Sequence, residues 1–238
     1  MVADRKQQLI ITADDYGIRE ASEPILTLAK EGMLDRVAVL ARFVSKEDAE
    51  RLSVTGVTLD IHLDLTQLLK RGQHEGDSFV HRMGNFMWHW LRGDLSPQKV
   101  EAEWREQIEL FRQKFGRLPD GMNSHEHIHF FPPMFRDFLE IAREYDMQYV
   151  RFGTHDTLGT SRFHGAQIVI SCLHRLNRRA WKQSPHNTSQ YLVSADWIDD
   201  VDKFCAYLPE GETEIVTHPE HAWEADLIRK LRQSVLAS

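Results

Sequence analysis

The chain has 238 residues, of which 42% are hydrophobic and 27% charged, and its formal net charge is −7. This length suits one large α/β domain or two small ones and allows a sizeable hydrophobic core. The acidic balance argues against a nucleic-acid or anionic-membrane partner. The two cysteines, Cys172 and Cys205, lie far apart outside any CxxC pattern, which argues against a disulfide framework and a cysteine-based zinc site.

The amino terminus and the apolar runs predict a soluble, cytoplasmic protein. The first eight residues, MVADRKQQ, are polar and lead directly into an apolar segment, so no secretory signal is expected. The longest apolar runs are far shorter than the roughly 20 residues that a membrane-spanning helix needs.

Strand-like and helix-like segments alternate along the chain. The strand-like segments are short and apolar: 8–13, 35–41, 57–63, 121–125, 147–152 and 213–218. The helix-like segments show apolar residues at helical spacing: 18–31, 45–53, 97–115, 132–145, 196–208 and 222–235. The clearest helix follows Ser96, has Pro97 in its first turn and ends at Gly116.

Two stretches are too long for ordinary connections, and we interpret them as insertions in a single domain that covers residues 1–238. Residues 67–95 are polar and contain an aromatic group, Phe86, Trp88 and Trp90. Residues 153–189 are basic and irregular, with a positive run on a predicted helix that we interpret as a solvated face: Arg175, Arg178, Arg179 and Lys182.

The alternation of strands and helices predicts a mostly parallel sheet covered by helices. Acidic residues and histidines recur at the carboxyl ends of the predicted strands, where parallel α/β barrels place their active sites. An open doubly wound sheet is the alternative, but it would distribute such motifs less evenly. We therefore predict a distorted or incomplete (β/α) TIM-like barrel. No glycine-rich phosphate loop is present, so nucleotide binding has no support.

Two of these motifs belong to the first and third predicted strands. LIITADDYG ends an apolar run with Asp14 and Asp15, although an acidic helix amino terminus would give the same pattern. VTLDIHLDLT places His62 on one strand face with its acidic neighbours, and a structural histidine is the alternative interpretation. Their joint appearance at strand ends favours a functional site.

The segment NSHEHIHFFPP carries His125, His127 and His129 at alternate positions. If it is extended, the three imidazoles line one side, because successive strand side chains point to opposite faces. Histidine is a frequent metal ligand and proton shuttle, so this cluster is a candidate reaction centre. The alternative is a polar surface loop.

One aspartate and two histidines predict a metal site with open positions for water and substrate. A second carboxylate nearby favours metal-assisted hydrolysis, in which it accepts a proton from water while a histidine protonates the leaving group. Hydrolysis of another amide or of a phosphoester fits the same residues. A non-enzymatic sugar-binding or metal-sensing protein is a third hypothesis.

Four motifs together resemble those of the YdjC-like carbohydrate deacetylases, which include chitooligosaccharide deacetylase and the hopanoid-biosynthesis deacetylases. They span nearly the whole chain: TADDYG at 12–17, IHLDLT at 61–66, FGRLPDGMNSHEHIHFFPPMF at 115–135 and THPE at 217–220. The resemblance implies a distorted (β/α) barrel that removes an acetyl group from N-acetylated sugars with one divalent metal ion. It also allows a homodimer.

The resemblance implies a role for each matched residue. Asp15, His62 and His125 are expected to bind the metal ion. Asp14 is the expected general base, and His218 is the expected general acid. Three further residues are expected behind the ligands or facing the substrate: His127, His129 and Arg151. Arg151 is expected to orient a substrate oxygen or to pair with a site carboxylate, and an ordinary surface or core ion pair is an equally good interpretation.

The chain departs from the family pattern at Thr12, where many members have Asn, and at Asn123, where chitooligosaccharide members usually have Asp. Its last motif reads His-Pro-Glu instead of the commoner His-Pro-Gly. These departures retain every expected ligand, but they argue against assigning a chitooligosaccharide substrate. The resemblance points to magnesium, whereas the donor atoms themselves favour zinc.

Overall fold

The computed structural model describes residues 7–69, 79–155 and 165–237. Eight strands occur in these ranges: β1 (Gln7–Tyr16), β2 (Arg36–Val39), β3 (Thr58–Leu63), β4 (Gly121–Ser124), β5 (Tyr149–Val150), β6 (Thr154–His155), β7 (Tyr191–Ser194) and β8 (Gly211–Thr217). They form one sheet in the order β5-β4-β3-β2-β1-β8-β7-β6, and every paired strand runs parallel to its neighbour.

The helices follow the strands along the described chain, as the sequence pattern predicts. They are α1 (Arg19–Lys30), α2 (Lys46–Ser53), α3 (Phe79–Leu91), α4 (Pro97–Phe115), α5 (Pro132–Glu144), α6 (Gly165–Trp181), α7 (Val201–Ala206) and α8 (Ala222–Ala237). Two 3₁₀ segments, His125–Phe130 and Ala195–Trp197, follow β4 and β7. No helix in the described ranges is both long and apolar enough to cross a membrane.

The sheet curls so that its two edges approach each other. Val150 N donates a hydrogen bond to Asn187 O at 2.9 Å, and Asn187 N donates to Gln148 O at 3.1 Å. The segment that leads into β7 therefore covers the free edge of β5. Backbone pairing at this seam is short, because β5 and β6 have only two residues each. The predicted distorted or incomplete barrel is confirmed.

The interior of the barrel contains charged residues as well as apolar ones. Arg36, on β2, donates two hydrogen bonds to the fully buried Asp60 on β3, with Nε–Oδ2 2.8 Å and Nη2–Oδ1 2.5 Å. Its guanidinium also lies 4.1 Å from the centre of the Tyr149 ring. The opposite faces of the strands pack against the helices through aliphatic residues such as Ile11 and Ile61.

Differences from the predicted elements concentrate in the second half of the chain. β7 was not predicted, and the predicted helix 196–208 is replaced by a 3₁₀ segment and the short α7. Within the two predicted insertions the structure contains α3, β6 and α6, whereas residues 70–78 and 156–164 lie outside the described ranges. Three positive residues of α6 and Lys182, which follows the helix, are exposed, as predicted. The three in the helix are Arg175, Arg178 and Arg179.

We predict that Gly121→Ala destabilises the protein by about 1–3 kcal/mol, the usual cost of overpacking. A Cβ atom at Gly121 would lie 2.5 Å from Asp60 Oδ1 and 2.7 Å from Arg36 Nη2, so the buried pair would have to move. Gly84→Ala is the control: it adds a methyl group to α3 with no atom within 4 Å, and we expect neutral or increased stability. Urea unfolding measures both effects, and equal stability changes in the two variants would contradict the prediction.

Candidate metal centre and active site

Asp15, His62 and His125 converge at the carboxyl ends of β1, β3 and β4. One potential ligand atom from each side chain lies within 4.8 Å of the others. Asp15 Oδ1 is 3.2 Å from His62 Nε2 and 2.9 Å from His125 Nδ1. Separations of about 3 Å are those expected for ligand atoms that share one ion at roughly 2.1 Å. The donor set and its spacing therefore fit a divalent cation.

The backbone at Asp15 explains how two consecutive carboxylates reach the same site. Residues of a regular strand alternate between its faces, so neighbouring side chains would point in opposite directions. Asp15 instead has a φ of 67°, in the left-handed region, and the β1–β2 register is irregular between Ala13 and Tyr16. As a result Asp14 and Asp15 both face the barrel mouth, where His62 Nε2 lies 3.9 Å from Asp14 Oδ2.

The prediction that His125, His127 and His129 line one side of an extended segment is wrong. Residues His125–Phe130 form a kinked 3₁₀ segment, in which Glu126 and His127 have φ values of 54° and 53°. Two successive left-handed residues end the extended chain and turn the later histidines away. Among these three histidines, only His125 belongs to the group of three potential ligands.

His129 lies behind the site and contacts Ser124 and the backbone of Arg151. It is fully buried, its Nδ1 lies 2.6 Å from Ser124 Oγ, and its Nε2 donates to Arg151 O at 3.0 Å. Burial lowers the pKa of His129 to about 3, so its ring is neutral. His127 is partly buried, and its ring contacts the rings of His129 and Phe130.

Arg151 connects Asp14 to a second carboxylate inside the barrel. Its Nη1 and Nη2 donate to Asp14 at 2.7 and 2.8 Å, and its Nε donates to Glu214 at 2.9 Å. Arg151 and Glu214 are fully buried and Asp14 is 2% exposed. Of the interpretations open for Arg151, pairing with a site carboxylate is the one that the structure shows. Glu214 also accepts hydrogen bonds from Tyr149 and Thr12.

The charges around the two aspartates favour their ionised forms. Burial raises the pKa of Asp14, but the Arg151 guanidinium outweighs it and lowers the pKa below its usual value. Burial likewise raises the pKa of Asp15, and the charge and hydrogen bond of His125 bring it well below that value. Loss of water lowers the pKa of His125, but Asp15 raises it to about 9. A cation that binds here therefore displaces a proton.

His218 lies across the site from these residues, directly after β8. Its Nε2 is 3.9 Å from Asp15 Oδ2, and about a third of its side chain is exposed. Its backbone N donates to Glu224 Oε2 at 2.6 Å, and Glu224 N donates to His221 O at 2.8 Å. Burial raises the pKa of Glu224 to about 8. The first turn of α8 thus fixes the backbone that carries His218.

Glu214 and Glu224 also contribute to the site, and neither was predicted from the sequence. A charged residue within the apolar strand TEIVTH was a usable signal for Glu214, since a buried charge requires a partner. Glu224 had no comparable signal, because an acidic residue in the first turn of a helix is common.

One protein family and several curated proteins match the sequence of this chain. The family sequence model described as "YdjC-like protein" matches residues 8–235. A carbohydrate deacetylase of Danio rerio is 27% identical over 155 residues, which cover 61% of this chain and 50% of the relative. A chitooligosaccharide deacetylase of Escherichia fergusonii is 26% identical over 140 residues, covering 57% and 56%. The matched part thus spans about half the length of these curated relatives.

Solved structures resemble the fold at lower identity. A protein of Enterococcus faecalis, assigned provisionally to cellobiose-phosphate cleavage, has a TM-score of 0.66 at 17% identity and covers 98% of this chain and 95% of its own. A polysaccharide deacetylase of Bacillus cereus has a TM-score of 0.51 at 11% identity, with coverages of 98% and 88%. At these identities the likeness concerns the fold alone.

We expect a divalent cation to raise the melting temperature of the metal-stripped protein. At a cation concentration 100 times the Kd the gain is about 2.7 kcal/mol, or roughly 5–10 °C for a domain of this size. Asp15→Asn should abolish the shift because it removes the charged ligand. Asp94→Asn, at a partly exposed carboxylate that pairs with His89 away from the three ligands, should retain it. Scanning calorimetry measures all three proteins, and a full shift in Asp15→Asn would refute the assignment.

We predict that Arg151→Met lowers the free energy of unfolding by about 3–5 kcal/mol, since it leaves buried carboxylates without their counter-charge. The double variant Arg151→Met/Glu214→Gln should recover part of this loss, because one of the two buried charges is then removed as well. The measurement is a double-mutant cycle by denaturant unfolding, with the wild type, both single variants and the double variant. Strictly additive losses would contradict a direct interaction.

Proposed function

The chain belongs to the YdjC-like family, and we propose that it is a metal-dependent hydrolase that removes an acetyl group from an N-acetylated sugar or glycoconjugate. The observation that carries this proposal is the position of Asp14. This second carboxylate lies beside the group formed by Asp15, His62 and His125, yet its hydrogen bonds go to Arg151. A site with three ligands and a separately held base is suited to hydrolysis. The names of the relatives support carbohydrate deacetylation.

The three converging residues would hold one divalent cation. When bound, such an ion polarises the acetamide carbonyl and makes a neighbouring water more acidic. Two nitrogen donors and one carboxylate suit zinc, and the family resemblance points to magnesium. The proposed cytoplasmic location and homodimer stay predictions.

Asp14 is the proposed general base. The two hydrogen bonds from Arg151 hold both of its oxygens and keep it ionised, so it can accept a proton from the attacking water. Its position is fixed from behind by Arg151, which in turn is fixed by Glu214. This arrangement supports a base whose orientation is set before substrate binds.

His218 is the proposed general acid. It approaches the site from β8, on the side of Asp15 opposite to the histidines of β3 and β4, and its partial exposure allows contact with a substrate. In this role the imidazolium donates a proton to the sugar nitrogen as the carbon–nitrogen bond breaks. Acetate and the free amine of the sugar are the products.

The test is acetate release from a panel of N-acetylated oligosaccharides and glycoconjugates. We expect release by protein supplied with Mg²⁺ or Zn²⁺ and no release after the metal is stripped with a chelator. Failure to release acetate from the whole panel, with metal bound, would count against the proposal.

Asp14→Asn should reduce acetate release by about 10²–10⁴-fold, the usual contribution of a general base, while the metal-stripped variant still binds the cation. Asp226→Asn, at an exposed residue that pairs with Arg229, serves as the control and should keep full activity. Wild-type turnover in Asp14→Asn would exclude this residue as the base.

A further inference from the structure

His62 has a single neighbour that determines which of its ring nitrogens is available to a cation. β3 and β4 pair in parallel so that His62 and Asn123 are Cα partners and point to the same face. His62 Nδ1 forms a hydrogen bond with Asn123 Oδ1. His62 is 2% exposed and Asn123 is fully buried, so water does not compete for this contact.

The chemistry of the two groups gives the contact a direction. An amide oxygen only accepts hydrogen bonds, so His62 Nδ1 must carry the hydrogen. In the neutral ring Nε2 then keeps its lone pair, and Nε2 is the atom that faces Asp15 at 3.2 Å. The reversed amide would place the donor Nδ2 against Nδ1 and move the ring hydrogen to Nε2. That hydrogen would occupy the position that a cation needs.

The other end of the same amide shows that His62 is the one partner this side chain satisfies among the described residues. Asn123 Nδ2 is buried and has no hydrogen-bond partner among the described residues. A buried unsatisfied donor is unfavourable, and a purely structural residue would be expected to satisfy both ends of its amide. In Asn123 the oxygen that faces His62 has a hydrogen-bond partner, and Nδ2 has none among the described residues.

We propose that Asn123 is the positioning residue that keeps the ring hydrogen of His62 on Nδ1, leaves the Nε2 lone pair free for the cation, and thereby sets the affinity of the site for that cation. The inference rests on the metal centre of the proposed function. Asn123 supplies a neutral acceptor where a carboxylate would add another buried negative charge next to Asp14 and Asp15. It therefore orients the ligand without adding charge to the site.

The experiment measures the affinity of the metal-stripped 238-residue chain for Zn²⁺ and, separately, for Mg²⁺, by calorimetric titration at constant pH. Asn123→Leu has a similar shape but no acceptor, and we expect its affinity to fall by about 10- to 100-fold. Asn123→Asp retains an acceptor, and we expect an affinity equal to or above that of the wild type. If Asn123→Leu fails to fold, Asn123→Asp alone still tests the proposal.

Asn177→Leu is the matched control, because it makes the same change at a buried amide that donates to Phe130 O and contacts none of the three ligands. We expect wild-type affinity from it. An equal loss in Asn177→Leu and Asn123→Leu would overturn the proposal, and so would wild-type affinity in Asn123→Leu or a tenfold loss in Asn123→Asp. These results leave the metal centre intact, whereas a wild-type protein that binds neither cation would refute the proposed function as well.

Discussion

The ion pairs of Arg151 organise the centre of the barrel. A fully buried guanidinium is tolerated only when nearly all of its donors are satisfied, and here Asp14 and Glu214 supply the acceptors. These residues come from β1, from the end of β5 and from β8, so the contact joins strands on both sides of the seam. The same contact keeps Asp14 ionised next to a second carboxylate. Fold closure and the chemistry of the site thus depend on one side chain.

The left-handed conformation of Asp15 is the second constraint. Without it, the alternation of strand side chains would send either Asp14 or Asp15 into the helical layer. The irregular end of β1 allows one carboxylate to face Arg151 while the next faces the two histidines. The division between a proposed base and a proposed ligand therefore arises from the backbone of two consecutive residues.

The sequence predicted the parts of the site that local patterns encode. Apolar runs that end in Asp14, Asp15 and His62 defined the strands and their carboxyl ends, and parallel pairing then brought them together. The pattern could not predict the turn after His125, because alternate spacing is equally compatible with a 3₁₀ segment. Nor could it predict the partner of Arg151, since Glu214 lies 63 residues away and the contact depends on how the barrel closes.

The seam between β5 and the segment that leads into β7 has a consequence for how this architecture can diversify. Among the described residues only a few backbone hydrogen bonds join the chain there, whereas buried polar and charged side chains connect the two sides from within. Segments that cross the seam, including the one that carries α6, can thus change in length or sequence while the central charges keep their positions. Evolution can remodel the rim at this place, and a designer could graft a new recognition loop there, without rebuilding the charged interior below it.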